Sequence, residues 1–173
     1  MHGVFILGLV TPTYFLISYF ITLEAVRHPY VHDIVALRHD SANTAIGVLL
    51  IFYVVLALLS KPNYDILFKR LALMAVLKTI SQSITIVPQP LGVDECIDVS
   101  FWELKNCADM MFSGHTAFTY LILNGMDIRW RYFFTFAMAV QLVMGDWHYM
   151  SDCFMAVIVA YAIEKYVPDE IYL

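Results

Sequence analysis

Two short stretches of this chain carry side chains that could perform acid–base and nucleophilic chemistry. The first, residues 107–116, contains Phe-Ser-Gly-His and so places His115 directly after a glycine. The second spaces His148 and Asp152 at i, i+4, which puts both on one face of a helix, one turn apart. A carboxylate at that distance can hold one imidazole nitrogen and leave the other for nucleophilic attack or proton transfer.

The two stretches are more informative together than apart. Taken alone, His115 is better explained as a buried histidine bonded to a neighbouring carbonyl. A glycine near a helix N-terminus, however, lets backbone approach a ligand closely, and the N–H groups there favour an anion. With His148 and Asp152 added, the set has a nucleophile, its orienting carboxylate and a second histidine as acid and base. The combination favours a site that handles a phosphate group.

The composition predicts how these stretches are positioned. The chain has 173 residues, of which 61% are hydrophobic and 14% charged, whereas soluble domains are roughly 45–50% apolar. We therefore expect an all-α, six-helix integral membrane bundle forming a single domain over residues 1–173. The apolar runs place the spans near residues 3–23, 43–60, 67–87, 110–126, 132–147 and 150–167. A net charge of −5 argues against a nucleic-acid partner.

The basic residues predict an orientation for this bundle. Lys and Arg are more frequent in the loops after the second and fourth spans, which the positive-inside rule assigns to the cytoplasm. His115 opens the fourth span and His148 closes the fifth, so both are expected on the extracytoplasmic side. The expected localisation is multi-pass in the Golgi, endoplasmic reticulum or plasma membrane if the source is eukaryotic, with a lumenal or exterior site.

The motif residues resemble a known family. Cys-x-Asp-x-x-Phe-Ser-Gly-His-Thr, followed by His-Tyr-x-x-Asp, is similar to the sphingomyelin synthase family of the type 2 phosphatidic acid phosphatase-like superfamily. The resemblance covers residues 78–163 and implies a catalytic set of His115, His148 and Asp152. It also implies transfer of phosphocholine, or a related headgroup, from a glycerophospholipid to ceramide. The products would be sphingomyelin, or an analogue, and diacylglycerol, formed through a phosphohistidine without a cofactor.

Departures from the superfamily pattern bear on the substrate. Its phosphatases carry Ser-Arg shortly before the last histidine, where this chain has Gln141 and Leu142. A phosphate monoester is a dianion and favours several bidentate cations, whereas a diester carries one charge and needs fewer. The shortage of arginine therefore favours a diester. Lys78 replaces the arginine of the family's first motif and is either a phosphate ligand or a lysine whose ammonium reaches an interface.

Five further residues are weaker candidates. The motif makes Ser113 and Gly114 substrate-binding residues. Asp109 could orient His115 or attract a cationic headgroup, and its alternative is a solvated acid at a helix N-terminus. Cys96 and Cys107 share a predicted extracytoplasmic loop, where they could form a disulfide or remain two thiols.

Three functions stay open on the sequence alone. The first is the headgroup transferase, with a glycerophospholipid donor, ceramide, diacylglycerol and the lipid bilayer as partners. The second is a lipid phosphatase or phospholipase C-like hydrolase that uses water, and the third is a non-catalytic lipid-binding membrane protein. No metal site is expected. The headgroup could be choline, ethanolamine or inositol, and a homo-oligomer stays open.

Overall fold

The computed structural model describes residues 41–60, 62–84, 111–145 and 147–169, together with the isolated positions Pro12 and Leu16. These residues form five helices. They are α1 (Ser41–Leu59), α2 (Tyr64–Ile84), α3 (Gly114–Ile122), α4 (Ile128–Met144) and α5 (Met150–Tyr166). The side chains of α1 are described only from Ile46 onward.

The shortest of these helices lies at the centre. α3 packs against α1, α2, α4 and α5, while α1 also packs on α4 and α2 on α5. Ala117, Tyr120 and Leu123 are consequently buried almost completely. A helix covered on several sides is apolar or hydrogen-bonded around most of its circumference, and α3 has that composition. The residues of its first turn therefore lie among the ends of other helices.

A stripe of buried residues on α5 carries Asp152 into the interior. Asp152, Ala156, Ala160 and Ile163 follow one another at spacings of four or three, so they share one face of the helix, and all are buried. The two alanines are small enough to let α5 approach α3 closely. The packing of these alanines against α3 therefore also fixes the position of the Asp152 carboxylate, one turn before Ala156.

The buried stripe of α2 positions Lys78 in the same way. Leu67, Leu71, Lys78 and Gln82 lie at spacings that keep them on one face, and all are buried. Helix α2 begins after Asn63, whose side chain accepts a hydrogen bond from the Ile66 amide at 3.4 Å. The lysine thus belongs to the packed face of α2.

The prediction of a six-span membrane bundle is wrong. Among the residues that the structure describes, no helix combines the length and the apolarity needed to cross a bilayer. The fourth expected span, 110–126, contains only α3, whose nine residues rise about 13 Å against a hydrocarbon core of about 30 Å. α2 includes Asp65, Lys69, Arg70 and Lys78. The expected multi-pass localisation is wrong for the same reason, so the extracytoplasmic placement of the site, which was derived from that topology, no longer follows.

A buried polar network ties together the opposite end of the bundle. Arg131 Nη1 lies 3.3 Å from Glu164 Oε2, and the Tyr120 hydroxyl donates to the same oxygen at 3.0 Å. Burial raises the pKa of the Tyr120 phenol, so this hydroxyl keeps its proton and remains a donor. Arg70 donates through Nε and Nη2 to the Val167 carbonyl at 2.8 and 2.6 Å. The C-terminal end of α5 is therefore attached to α2, α3 and α4 by charged groups.

Glu164→Gln tests the strength of this network. The substitution leaves the buried Arg131 guanidinium without its counter-charge, so we expect the free energy of unfolding to fall by about 3 kcal/mol. Asp65→Asn is the matched control, because the Lys69–Asp65 pair has side-chain exposures of 40% and 35%. An exposed pair of this kind contributes less than about 1 kcal/mol. Urea denaturation measures both variants, and equal losses would show that the buried network has no special weight.

Candidate functional site

The second sequence motif forms a histidine–carboxylate contact at the beginning of α5. His148 Nδ1 lies 3.4 Å from Asp152 Oδ2, and both side chains are buried. Asp152 Oδ2 also accepts a hydrogen bond from the Tyr149 amide at 3.0 Å, which satisfies one of the unpaired N–H groups at the start of the helix. The Asp152 carboxylate therefore both caps α5 and orients His148. The contact favours the tautomer with its proton on Nδ1, in which Nε2 carries the lone pair.

A backbone hydrogen bond joins the two motifs. The Ser113 amide donates to the Asp152 carbonyl at 3.0 Å. Asp152 therefore orients His148 through its side chain and holds the turn that precedes His115 through its main chain. The motifs are far apart in sequence, and this bond places the beginning of α3 beside the beginning of α5.

The first turn of α3 is closed by its own side chains. Ser113 is the N-cap residue, and its hydroxyl oxygen accepts from the Thr116 amide at 3.1 Å and from the Thr116 hydroxyl at 3.0 Å. Both residues are fully buried. The remaining amides of the first turn, together with the helix dipole, give this end of α3 a partial positive charge. The turn thus presents His115 at a place that favours an anion.

Lys78 reaches this turn from α2. Its ammonium donates to the Phe112 carbonyl and lies 4.8 Å from the centroid of the Phe112 ring. Its side chain passes Gly114, where an added Cβ would lie 3.9 Å from Lys78 Cε. The residue is 1% exposed, so its charge acts in a medium that screens it poorly. The structure therefore places Lys78 against the backbone of the Phe-Ser-Gly-His segment.

His115 and His148 face each other across a short gap. Their ring centroids are 6.3 Å apart, and the Trp147 ring lies edge-on to His115 at 5.9 Å. Burial, and after it the electrostatic effects of His148 and of the Lys78 ammonium, together lower the pKa of His115 to about 4. At neutral pH His115 is consequently uncharged in the unliganded site.

The spacing of the two rings suits a single tetrahedral group bound between them. Attack by a nitrogen on phosphorus needs an approach of about 3–3.5 Å, and proton transfer needs about 2.6–3.2 Å between the heavy atoms. The observed centroid separation of 6.3 Å brings both imidazoles within reach of one bound phosphoryl group. The arrangement can therefore perform nucleophilic displacement at phosphorus with proton transfer to or from an oxygen substituent.

The structure brings most of the candidate residues together. Those found at the site are His115, His148, Asp152, Lys78, Ser113 and Gly114. Asp109, Cys96 and Cys107 lie outside the described residues, so the substrate contact of Asp109 and the disulfide stay predictions. In the part of the chain that the structure describes, no three His, Cys, Asp or Glu side chains are grouped to hold a metal ion.

Sequence reasoning missed how the site is held together. It treated Ser113 as a substrate ligand, whereas the observed contacts of its hydroxyl are those of a helix cap. Thr116 was not singled out, although a hydroxyl three residues after a serine N-cap can bond back to it.

Comparison of the chain with protein-family profiles and with curated proteins yields no match. The resemblance to the sphingomyelin synthases therefore rests on the motif residues themselves.

Proposed function

We propose that this protein is a sphingomyelin synthase-like phosphotransferase that moves a phosphate-linked headgroup between lipids. The donor is a glycerophospholipid, the acceptor is ceramide, and phosphocholine or a related headgroup is transferred. The observation that carries the proposal is the joined pair of motifs: Asp152 orients His148 and also holds the turn before His115. The chemical class follows from the site, and the two lipids follow from the resemblance of the motifs.

In the first half-reaction His148 is the nucleophile. Its Nε2 attacks phosphorus, and the bond from phosphorus to the diacylglycerol oxygen breaks. His115, protonated in the substrate complex, gives its proton to that departing oxygen. The phosphohistidine carries positive charge on the imidazole, and Asp152 stabilises that charge from Nδ1. The positive end of α3 and the Lys78 ammonium stabilise the negative charge that grows on the equatorial oxygens.

The second half-reaction reverses the first with a different oxygen. The primary hydroxyl of ceramide attacks phosphorus, and the Nε2–phosphorus bond breaks. His115, now neutral, takes the hydroxyl proton as the new oxygen–phosphorus bond forms. Each half-reaction returns the other's proton, so one acid–base group serves both.

The positions of the arginines support a diester rather than a monoester substrate. Arg70 and Arg131 bind the region around Glu164 and Val167, twelve residues along α5 from Asp152, which corresponds to about 18 Å. Among the described residues, Lys78 is the lysine or arginine that contacts the His115 turn. A dianionic monoester favours several bidentate cations, so this site is better matched to a singly charged phosphodiester.

The proposal is tested by product identification. Purified protein in detergent–lipid mixed micelles is given labelled ceramide with phosphatidylcholine, phosphatidylethanolamine or phosphatidylinositol in separate reactions. We expect a labelled sphingophospholipid and diacylglycerol in equal amounts with one of the donors, identified by mass. His148→Ala, prepared in parallel, is expected to form neither.

Other products would replace the proposal. Diacylglycerol with free headgroup phosphate, and no labelled sphingolipid, would make the protein a phospholipase C-like hydrolase. Phosphate released from phosphatidic acid would make it a lipid phosphatase. Binding of lipids without turnover by either protein would make it a non-catalytic lipid-binding protein.

A further inference from the structure

The charge environment of His115 depends on groups from two neighbouring segments. From α2, Lys78 is buried against the preceding turn. From the segment before α5, the His148 ring lies 6.3 Å away, and its Nδ1 contacts Asp152. Each cation that approaches His115 disfavours a second positive charge on its ring.

The other helices packed on α3 add no charge near this ring. α1 has no charged side chain between Ile46 and Leu59. In α4 the arginines Arg129 and Arg131 lie in the first turn, and Arg131 is paired with Glu164 at the opposite end of the bundle. Within the described residues, the charge of His115 is therefore set first by its burial and then by His148 and Lys78.

We propose that His115 is uncharged in the resting site and takes up a proton only when an anionic phosphoryl group binds beside it, with the buried Lys78 ammonium contributing to this dependence. The inference rests on the proposed function, because the bound anion is the phosphoryl group of the substrate. The inference goes beyond that function, because it makes the negative charge of the substrate necessary for the protonation of His115.

A bound anion raises the pKa of His115. An opposite charge within about 4–6 Å favours the charged form of a histidine, typically by about 1–3 pH units. A phosphoryl group between the two rings lies within that range of His115 and of the beginning of α3. Binding therefore offsets the depressed pKa of His115, which is about 4 in the unliganded site. The proton comes from solvent when the substrate binds and returns to solvent when the product leaves.

The uncharged state of His115 in the resting site limits unwanted reactions. In the resting site an uncharged His115 cannot protonate a leaving group, so the nucleophile and the acid are not both ready until an anion is present. Lys78 has a double effect, because it attracts the phosphoryl group and keeps His115 uncharged beforehand. On this account Lys78 is a positioning residue that also helps to keep His115 uncharged.

The test is a titration of His115 by NMR on protein labelled with ¹⁵N in its histidines. His115→Gln identifies the signal. Inorganic phosphate is the probe, with sodium chloride at equal ionic strength as the control. We expect His115 to titrate near pH 4 in chloride and about 1–3 pH units higher at saturating phosphate. In Lys78→Met the chloride value is expected to rise, and in Lys78→Arg it is expected to stay low.

The outcomes are separable from those of the lipid assay. A His115 that is protonated at neutral pH in chloride would overturn the inference, as would a titration curve that phosphate leaves unchanged. An unaltered chloride value in Lys78→Met would remove Lys78 from it. If headgroup transfer is observed while the titration does not respond, the inference fails and the proposed function stands. If the titration responds and no transfer or hydrolysis occurs, the proposed function fails and the charge coupling stands.

Discussion

Replacing His148 with alanine is expected to abolish the covalent intermediate and to reduce headgroup transfer by at least about 10⁴-fold. His148 is the imidazole that Asp152 contacts at Nδ1, and that contact favours attack by Nε2. His115→Ala should reduce turnover to a similar degree with a natural phospholipid, because nucleophile and acid act as a unit. The two variants differ in the intermediate that each can form.

An activated donor separates the two roles. A p-nitrophenyl phosphodiester has a leaving group that needs no proton, so His115→Ala should still form an acid-labile phosphohistidine from it. His148→Ala should form none. The measurement is retention of ³²P on protein after quenching, with the adduct located by mass spectrometry of peptides. His39→Ala, outside both motifs, is the control. Label that persists in His148→Ala would refute the assignment, and an adduct on His115 would reverse the roles.

Replacing Asp152 with asparagine is expected to reduce kcat by about 10²- to 10⁴-fold while leaving the fold largely intact. Asparagine keeps the size of the side chain and an oxygen that can accept from the Tyr149 amide. It loses the negative charge that stabilises the imidazolium of the phosphohistidine. Thermal unfolding and steady-state kinetics on one preparation distinguish a loss of charge from a loss of structure.

Ser151→Ala is the matched control for Asp152. The Ser151 hydroxyl donates to the other carboxylate oxygen, Asp152 Oδ1, at 3.3 Å, and the residue is exposed. Its removal leaves the charge and the contact with His148 in place, so we expect a change in kcat of less than about tenfold. Equal activity of Asp152→Asn and the wild-type protein would show that the carboxylate orients nothing that the reaction needs.

The sequence predicted which candidate residues lie near one another better than it predicted the helices around them. The i, i+4 spacing of His148 and Asp152 is a local property of one helix, so it could be read directly from the chain. The approach of His115 to His148 is a long-range contact and was inferred from the combination of motifs. The contact between Lys78 and the Phe112 carbonyl could not be predicted, because it depends on how α2 packs against the end of α3.

The fold was mispredicted where composition was used in place of packing. The apolar stretch 110–126 was counted as one span, yet α3 begins only at Gly114 and ends at Ile122. Gly125 has a φ of 97° in the turn that follows, a conformation that favours glycine and ends the helix. Lys78 and Arg70 lie within the expected third span, 67–87, and both are buried in polar contacts.

The hydrogen bond from the Ser113 amide to the Asp152 carbonyl has a consequence for how the site is lost. Fraying of the two motifs is coupled, because opening the first turn of α3 removes a partner of α5, and the reverse is also true. Local opening of this region therefore separates acid, nucleophile and orienting carboxylate in one event. On the proposed mechanism, a partly unfolded chain would be inactive. The phosphohistidine would form only on molecules in which the first turns of both α3 and α5 are folded.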